Sequence, residues 1–182
     1  CKNNFILVGA RSTEYVVFHD PFQCRNNPGA LPVNTYIQGC SAPPCSLPQL
    51  QDAVINVDFI TPGPVQSMKT LATAYLSIGL ISIPIPYDLE ENSVTCNFLT
   101  NASCPVQGGQ LLKYTLRMPI EPFFPVGTRV TIEFRVVDES NNNSLLCLRV
   151  PSSGVYLPAL SSSSGHFDDA IFNITIQNHL NH

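Results

Sequence analysis

The side chains that could do chemistry are few, and their spacing suits catalysis poorly. His19 and Asp20 are adjacent, but no Gly-x-Ser-x-Gly elbow accompanies them to supply a nucleophile. His166, His179 and His182 fall together near the end of the chain. His166 with Asp168 and Asp169 has the composition of a metal cluster, yet it follows a Ser/Gly-rich stretch that reads as a solvated tail. Glu90 and Glu91 are sequence neighbours in a loop, where carboxylates form a solvated face rather than two groups opposed across a cleft. Cys40-Ser-Ala-Pro-Pro-Cys45 would need two more ligands at finger-like spacing to hold zinc, and none follows. A local disulfide is the better reading. The expectation is a protein that is not an enzyme, with no catalytic residue, no metal and no cofactor.

Cysteines dominate what remains. There are seven, at positions 1, 24, 40, 45, 96, 104 and 147. Sequons stand at Asn101-Ala-Ser103, Asn142-Asn-Ser144 and Asn173-Ile-Thr175. Together they favour an oxidising, secretory compartment. An odd count leaves one cysteine unpaired or paired between chains. Phe5-Ile-Leu-Val-Gly-Ala10 has the character of the end of an h-region, short and without a basic start, so a removed or truncated signal is expected. Of 182 residues, 44% are hydrophobic and only 12% charged, enough apolar material for one domain with a sizeable core. A net charge of −4 carries no basic footprint for nucleic acid. No apolar run reaches about 18 residues, so no transmembrane helix is expected.

The elements that must position these groups read as strands. Period-two alternation runs over Ala53–Ile60, Leu71–Leu80, Leu112–Met118 and Thr128–Val137. In the last, Val130, Ile132, Phe134 and Val136 point one way and Arg129, Thr131, Glu133 and Arg135 the other. Leu145–Val150, carrying Cys147, is a last core strand. His19–Pro48 reads as loop-heavy and stapled. Two segments stand out because they are both apolar and rich in proline. Ile81, Ile83 and Ile85 alternate with Ser82, Pro84 and Pro86, which bars that segment from central pairing. Met118-Pro-Ile-Glu-Pro-Phe-Phe-Pro125 is a turn that carries Met118, Ile120, Phe123 and Phe124 where turns are normally polar. Such side chains either cap the end of a filled core or form the mouth of a ligand cavity. Past Pro151 the chain is Ser-rich, and Phe172–Gln177 is either an edge strand or disordered. Short strands between turn signals, with no competing helical period, predict an all-β antiparallel sandwich.

The cysteine order, with Pro44 before Cys45, Cys104-Pro105, Ser144-Leu-Leu-Cys147, Leu116-Arg-Met-Pro-Ile120 and Phe124-Pro125, resembles the ML (lipid-recognition) domain family over about Phe22–Pro151. The resemblance is strongest to the soluble sterol-transfer proteins of the Niemann–Pick type C group. It implies an immunoglobulin-like sandwich of two antiparallel sheets with an apolar tunnel between them. It also implies the pairs Cys24–Cys147, Cys40–Cys45 and Cys96–Cys104, a choice among fifteen that spacing alone leaves open. Cys1 is then left over. The implied ligand is a sterol, cholesterol or a relative, carried between membranes or proteins in transient contact with membranes or a membrane sterol transporter. The alternatives are a secreted carrier of fatty acids, phospholipids or semiochemicals, and a lipid-sensing module of innate immunity. Ile120 and Phe124 are expected to line the entrance, with Ile83 as a third member and Ile85, Met118 and Phe123 beside them. Phe59, Leu76, Tyr114 and Phe134 are expected to form the wall, with few polar groups facing the ligand. The expected layout is an N-terminal extension over 1–21, the lipid-binding domain over 22–158 and a flexible tail over 159–182. Glycans are expected at Asn101, Asn142 and Asn173, and the compartment is extracellular or lysosomal.

Overall fold

The computed structural model describes Cys24 and residues 29–158 apart from position 79. The readings made above for the N-terminal extension, Cys1, the four histidines, Asp168, Asp169, Asn173 and the tail therefore lie outside the described residues.

Eight strands are described: β1 (Asn34–Ile37), β2 (Cys45–Pro48), β3 (Asp52–Ile60), β4 (Met68–Ile78), β5 (Ile81–Tyr87), β6 (Leu111–Pro119), β7 (Val130–Asp138) and β8 (Ser144–Tyr156). They form a three-stranded sheet in the order β1-β3-β6 and a five-stranded sheet in the order β2-β8-β7-β4-β5. Alternation explains which face each strand buries. On β7, Val130, Ile132, Phe134 and Val136 are all buried, as the sequence predicts. On β4 the inward set is Met68, Thr70, Ala72 and Ala74, paired with Asp138, Val136, Phe134 and Ile132. Ala53, Ile55, Val57 and Phe59 of β3 and Leu112, Tyr114, Leu116 and Met118 of β6 face them from the other sheet. One contiguous core joins the two inner faces. Each fully buried Phe, Leu, Ile or Met there contributes about 1.5–3 kcal/mol.

Several details differ from the sequence reading. All pairs are antiparallel except β2–β8, which run parallel. The stapled segment expected to be loop contributes two short strands, β1 and β2, because each can complete the edge of a sheet. The strand expected over 71–80 begins earlier, at Met68, and yields to a turn at Leu80. The last core strand does not stop at Val150 but continues through Pro151 to Tyr156. Pro151 closes the ladder with β7 opposite Thr131, and pairing with β2 starts at Ser152. The proline sits where one neighbour hands over to the other, so its missing N–H interrupts neither ladder.

Three disulfides tie the sandwich: Cys24–Cys147, Cys40–Cys45 and Cys96–Cys104. Glu133 lies on the outer face of β7, as expected, but is only 6% exposed. The Cys24–Cys147 sulfurs lie over it, within 4.8 Å of its carboxylate. Its charge is met by Arg149 Nε at 3.6 Å, and that guanidinium lies 4.9 Å from the centre of the Tyr75 ring. The two sulfurs are bonded to each other, so this cluster offers no thiolate to a metal. The chain approaches β8 closely here. A side chain at Gly29 would place Cβ 2.8 Å from the Cys147 nitrogen, so only glycine fits.

Candidate functional site

The two proline-bearing segments meet at the open side of the sandwich. β5 is the free edge of the five-stranded sheet and β6 that of the three-stranded sheet. The lower part of the β6 edge is covered by residues 99–101, with Thr100 N–H donating to the Lys113 carbonyl at 2.8 Å and Leu99 bridging Tyr114. At its upper end, Pro119 meets Tyr87 of β5 instead. Among the described residues no backbone–backbone hydrogen bond joins β5 to β6 or to the loop after it. Side chains alone close the gap. The Tyr87 hydroxyl donates to the Pro119 carbonyl and accepts from the Glu121 N–H at 3.2 Å. Its ring stacks on Phe124, with centroids 6.0 Å apart and planes 15° from parallel. Phe123 packs on Phe124 at 4.3 Å. Burial pushes the Tyr87 phenol above its ordinary pKa, so the hydroxyl keeps its proton.

The 119–129 loop is held from behind as well. Gln49 Nε2 donates to the carbonyls of Pro122 at 3.0 Å and Phe124 at 2.9 Å. Leu50 N–H donates to the Ile120 carbonyl and Ile120 N–H to that of Gln51, extending the β3–β6 ladder by one step. The loop is thus a firm jaw, and Tyr87 is the latch on the opposite one.

Behind the lip the side chains are small or supple. Ala72 and Ala74 of β4 stand opposite Tyr87 and Ile85, and Ala53 opposite Met118. Met118 is fully buried there, while the other methionine, Met68, is buried at the far end of β4, beyond Thr70 from the lip. Unbranched methionine fills irregular gaps and changes rotamer readily. Deeper still, the Tyr114 hydroxyl crosses between the sheets to Thr70 Oγ1 at 2.7 Å, and Thr70 Oγ1 is 2.8 Å from that of Thr95. Burial pushes the Tyr114 phenol up to about 12. The interior thus holds one small hydroxyl cluster among its apolar side chains. Thr70 precedes the strand expected over 71–80, and only the fold shows it inside, meeting Tyr114 and Thr95.

The nominated residues divide accordingly. Met118, Ile120 and Phe124 are buried together at the lip, and Phe123 covers them at 60% exposure. Ile85 and Leu76 are half-buried on the facing ribbon, and Ile83 is 41% exposed. Phe134 lies level with Ala72 and Tyr87. Phe59 pairs with Leu112, beyond the Tyr114–Thr70 bond from the lip, and is not brought to the others. Tyr87, Gln49, Thr70 and Thr95 were not nominated. Continuing the Ile81, Ile83, Ile85 alternation by one step reaches Tyr87, whereas no local signal marks Gln49 or Thr95.

Past the lip, the β4–β5 hairpin carries its inner face beyond the other sheet. Ile78, Leu80 and Ile81 are exposed there, and no charged side chain occurs from Ser77 to Pro86. Phe123 and Val126 are exposed on the loop that follows β6.

A family model for the ML domain matches residues 21–153. The chain belongs to the ML-domain family. It is 24% identical over 119 residues to the NPC intracellular cholesterol transporter 2 of Danio rerio, spanning 65% of this chain and 74% of that protein. The protein of the same name from Canis lupus familiaris is 24% identical over 115 residues, spanning 63% and 71%. The crystal structure of a Niemann-Pick type C2 protein from Japanese carpenter ant shares the fold, with a TM-score of 0.59 at 16% identity over 74% of this chain and 98% of that one. In this ML domain the latch and jaw described above lie where the β5 and β6 edges come together without pairing.

Proposed function

We propose that this ML domain binds a lipid, a sterol in the first instance, between its two sheets and carries it between membranes or proteins, without catalysis. The carrying observation is the seam between β5 and β6, closed by side chains rather than by a backbone ladder. Lipid binding needs such a seam. The driving force is burial of ligand hydrocarbon at roughly 25 cal/mol per Å², and it is realised only if the sheets part without losing ladder bonds. Swinging Tyr87 away and turning Met118 opens a path past Ala72, Ala74 and Ala53. Ile120 and Phe124, with Ile83 and Ile85 opposite, then line the entrance. Leu76, Phe134 and Tyr114 form the wall, and the Tyr114–Thr70–Thr95 hydroxyls form its floor. The uncharged hairpin tip with Phe123 and Val126 is the surface that would meet a membrane. The relatives named cholesterol transporters support the sterol. The three disulfides support a secretory or lysosomal compartment.

The test is to purify the protein from a eukaryotic secretory host, identify lipid that leaves on denaturation, and titrate a fluorescent sterol against a fluorescent fatty acid. The reading expects saturable sterol binding that Phe124→Ala weakens at least several-fold while circular dichroism stays unchanged. Saturable binding of the fatty acid with none of the sterol moves the ligand to the acyl-chain class. Absence of any bound or exchangeable lipid overturns the proposal.

A further inference from the structure

The interior holds hydroxyls that the fold does not fully use. Thr35 of β1 is only 1% exposed, yet its Oγ1 has no hydrogen-bond partner among the described residues. Its neighbours Asn34 and Tyr36 line a polar groove of about 320 Å³ on the outer face of the three-stranded sheet, with Asn56 and Asp58 of β3 and Lys113 of β6. Alternation therefore turns Thr35 the other way, into the space between the sheets, as it turns Ile37 of the core. Buried hydroxyls are almost always paired, and one left unpaired costs stability that a valine of the same shape would not.

The register sets this hydroxyl at the depth of the cluster already described. Thr35 is opposite Val57, and Val57 is opposite Tyr114. The Tyr114 hydroxyl meets Thr70, which stands opposite Val136. Thr95 completes the cluster from the short turn Thr95–Phe98, which the Cys96–Cys104 disulfide ties down. Three hydroxyls carry three hydrogens, but the two O···O contacts take only two. One hydrogen therefore has no acceptor within the cluster. The row lies four residues along β3 from Ala53 at the lip, about 13 Å at the rise of a strand. Two residues further, Phe59 and Leu112 are fully buried, so the row is the inner end of the lipid path.

We propose that the lipid held between the sheets carries a hydroxyl at its inner end, which lies over Val57 and bonds to Thr35 Oγ1. The inference rests on the lipid-binding reading above and adds what that ligand must carry. A hydroxyl both donates and accepts, so it completes Thr35 in either sense, and the uncommitted hydrogen of the cluster lies in the same row. A lipid whose inner end is pure hydrocarbon leaves Thr35 unpaired and dry. A sterol presents the required group in one of two ways: ring end first with its ring hydroxyl, or tail end first with a hydroxyl on the side chain. Thr35 then sets specificity, while the apolar lip sets admission.

The test uses the full chain, freed of lipid, and three sterols that differ by single hydroxyls. These are cholestene with none, cholesterol with the ring hydroxyl, and a cholesterol hydroxylated at the end of its side chain. In competition against a fluorescent sterol, at least one added hydroxyl should tighten Kd about five- to tenfold. Thr35→Val should reduce that step to about twofold or less, and Thr35→Ser should keep it. The step that collapses names the end that enters first. Lipid-free Thr35→Val should melt at or above wild type, because it removes an unpaired buried hydroxyl. Equal affinity for all three sterols overturns the inference and leaves the lipid site standing. A step that survives Thr35→Val, or a lipid-free Thr35→Val that melts well below wild type, overturns it as well. Binding of none of the three removes the sterol reading and this inference together.

Discussion

Two tyrosines carry most of what is specific at the residue scale. Tyr114 donates or accepts across the sandwich interior, and its phenol is pushed from 10.0 up to about 12. A raised folded-state pKa means that the unfolded chain releases the proton first as pH climbs. The contribution is therefore fully present below pH 10.0 and is lost as pH rises towards about 12. Urea unfolding of wild type should show that alkaline decline, and Tyr114→Phe should flatten it. Thr70→Val leaves the buried Tyr114 hydroxyl short of a partner and should cost about 1–3 kcal/mol at neutral pH. Tyr87 works at the surface of the seam. Tyr87→Phe keeps the ring on Phe124 but removes the hydroxyl from Pro119 and Glu121. The expected result is a loss of about 0.5–1.5 kcal/mol together with faster release of bound lipid in stopped-flow exchange. Unchanged release would mean that the latch is elsewhere.

At the scale of elements, β5 shows how a sequence manages a strand edge. Pro84 and Pro86 pair with Tyr75 and Thr73, so both lie within the ladder register and yet outside its donor set. Their nitrogens fall on the side away from β4, where a free N–H would invite another strand. Replacing both with valine restores two donors along an edge that already exposes Ile81 and Ile83. Size-exclusion chromatography should then show concentration-dependent association that wild type lacks. The β7–β8 turn is organised differently, around Asp138. Its carboxylate accepts from the Ser140 N–H at 2.9 Å, from the Ser140 hydroxyl at 2.7 Å and from Asn141 Nδ2 at 3.1 Å. The Ser140 hydroxyl and N–H hold its pKa below the ordinary 3.8. A lowered folded-state pKa gives stability that is present above 3.8 and lost as pH falls through the folded value. Asp138→Ala should lower stability at pH 7 by about 1 kcal/mol and reduce the acid slope of Tm.

For the whole molecule, the longest covalent constraint decides how much stability the core must supply. Cys24–Cys147 closes 123 residues, worth about 5 kcal/mol in the chain-entropy model, against roughly 2–3 for each short loop. It also pins the chain over Glu133 and Arg149. The double variant Cys24→Ser, Cys147→Ser should therefore lose several kcal/mol in urea, more than Cys40→Ser, Cys45→Ser. The reverse order would show that the N-terminal segment adds little beyond its covalent tie. The same architecture separates two surfaces. The proposed lipid seam lies at the β5 and β6 edges, and the polar groove lies on the outer face of β1, β3 and β6.

Period-two alternation was enough to identify β3, β4, β6 and β7, though not the short edge strands β1 and β2, because a side chain on a pleated strand has only two sides to choose from. The sequence also marked 81–87 as an edge or a loop, since a proline cannot donate to a central ladder, and the fold makes it an edge strand. The three disulfides became legible only through a resemblance, because spacing cannot choose among fifteen pairings. What alternation could not show was which strands neighbour each other and where the sheets lack a ladder between them. Those depend on contacts between residues far apart in the chain, such as Tyr87 with Pro119 and Phe124, or Tyr114 with Thr70. For the same reason Phe59, as apolar and inward as Met118, lies remote from the lip, while Gln49, a polar residue in a turn, holds the jaw in place. Hydrophobic burial is non-directional and a sequence records it well. A hydrogen bond requires two particular atoms to meet, and only the tertiary structure brings them together.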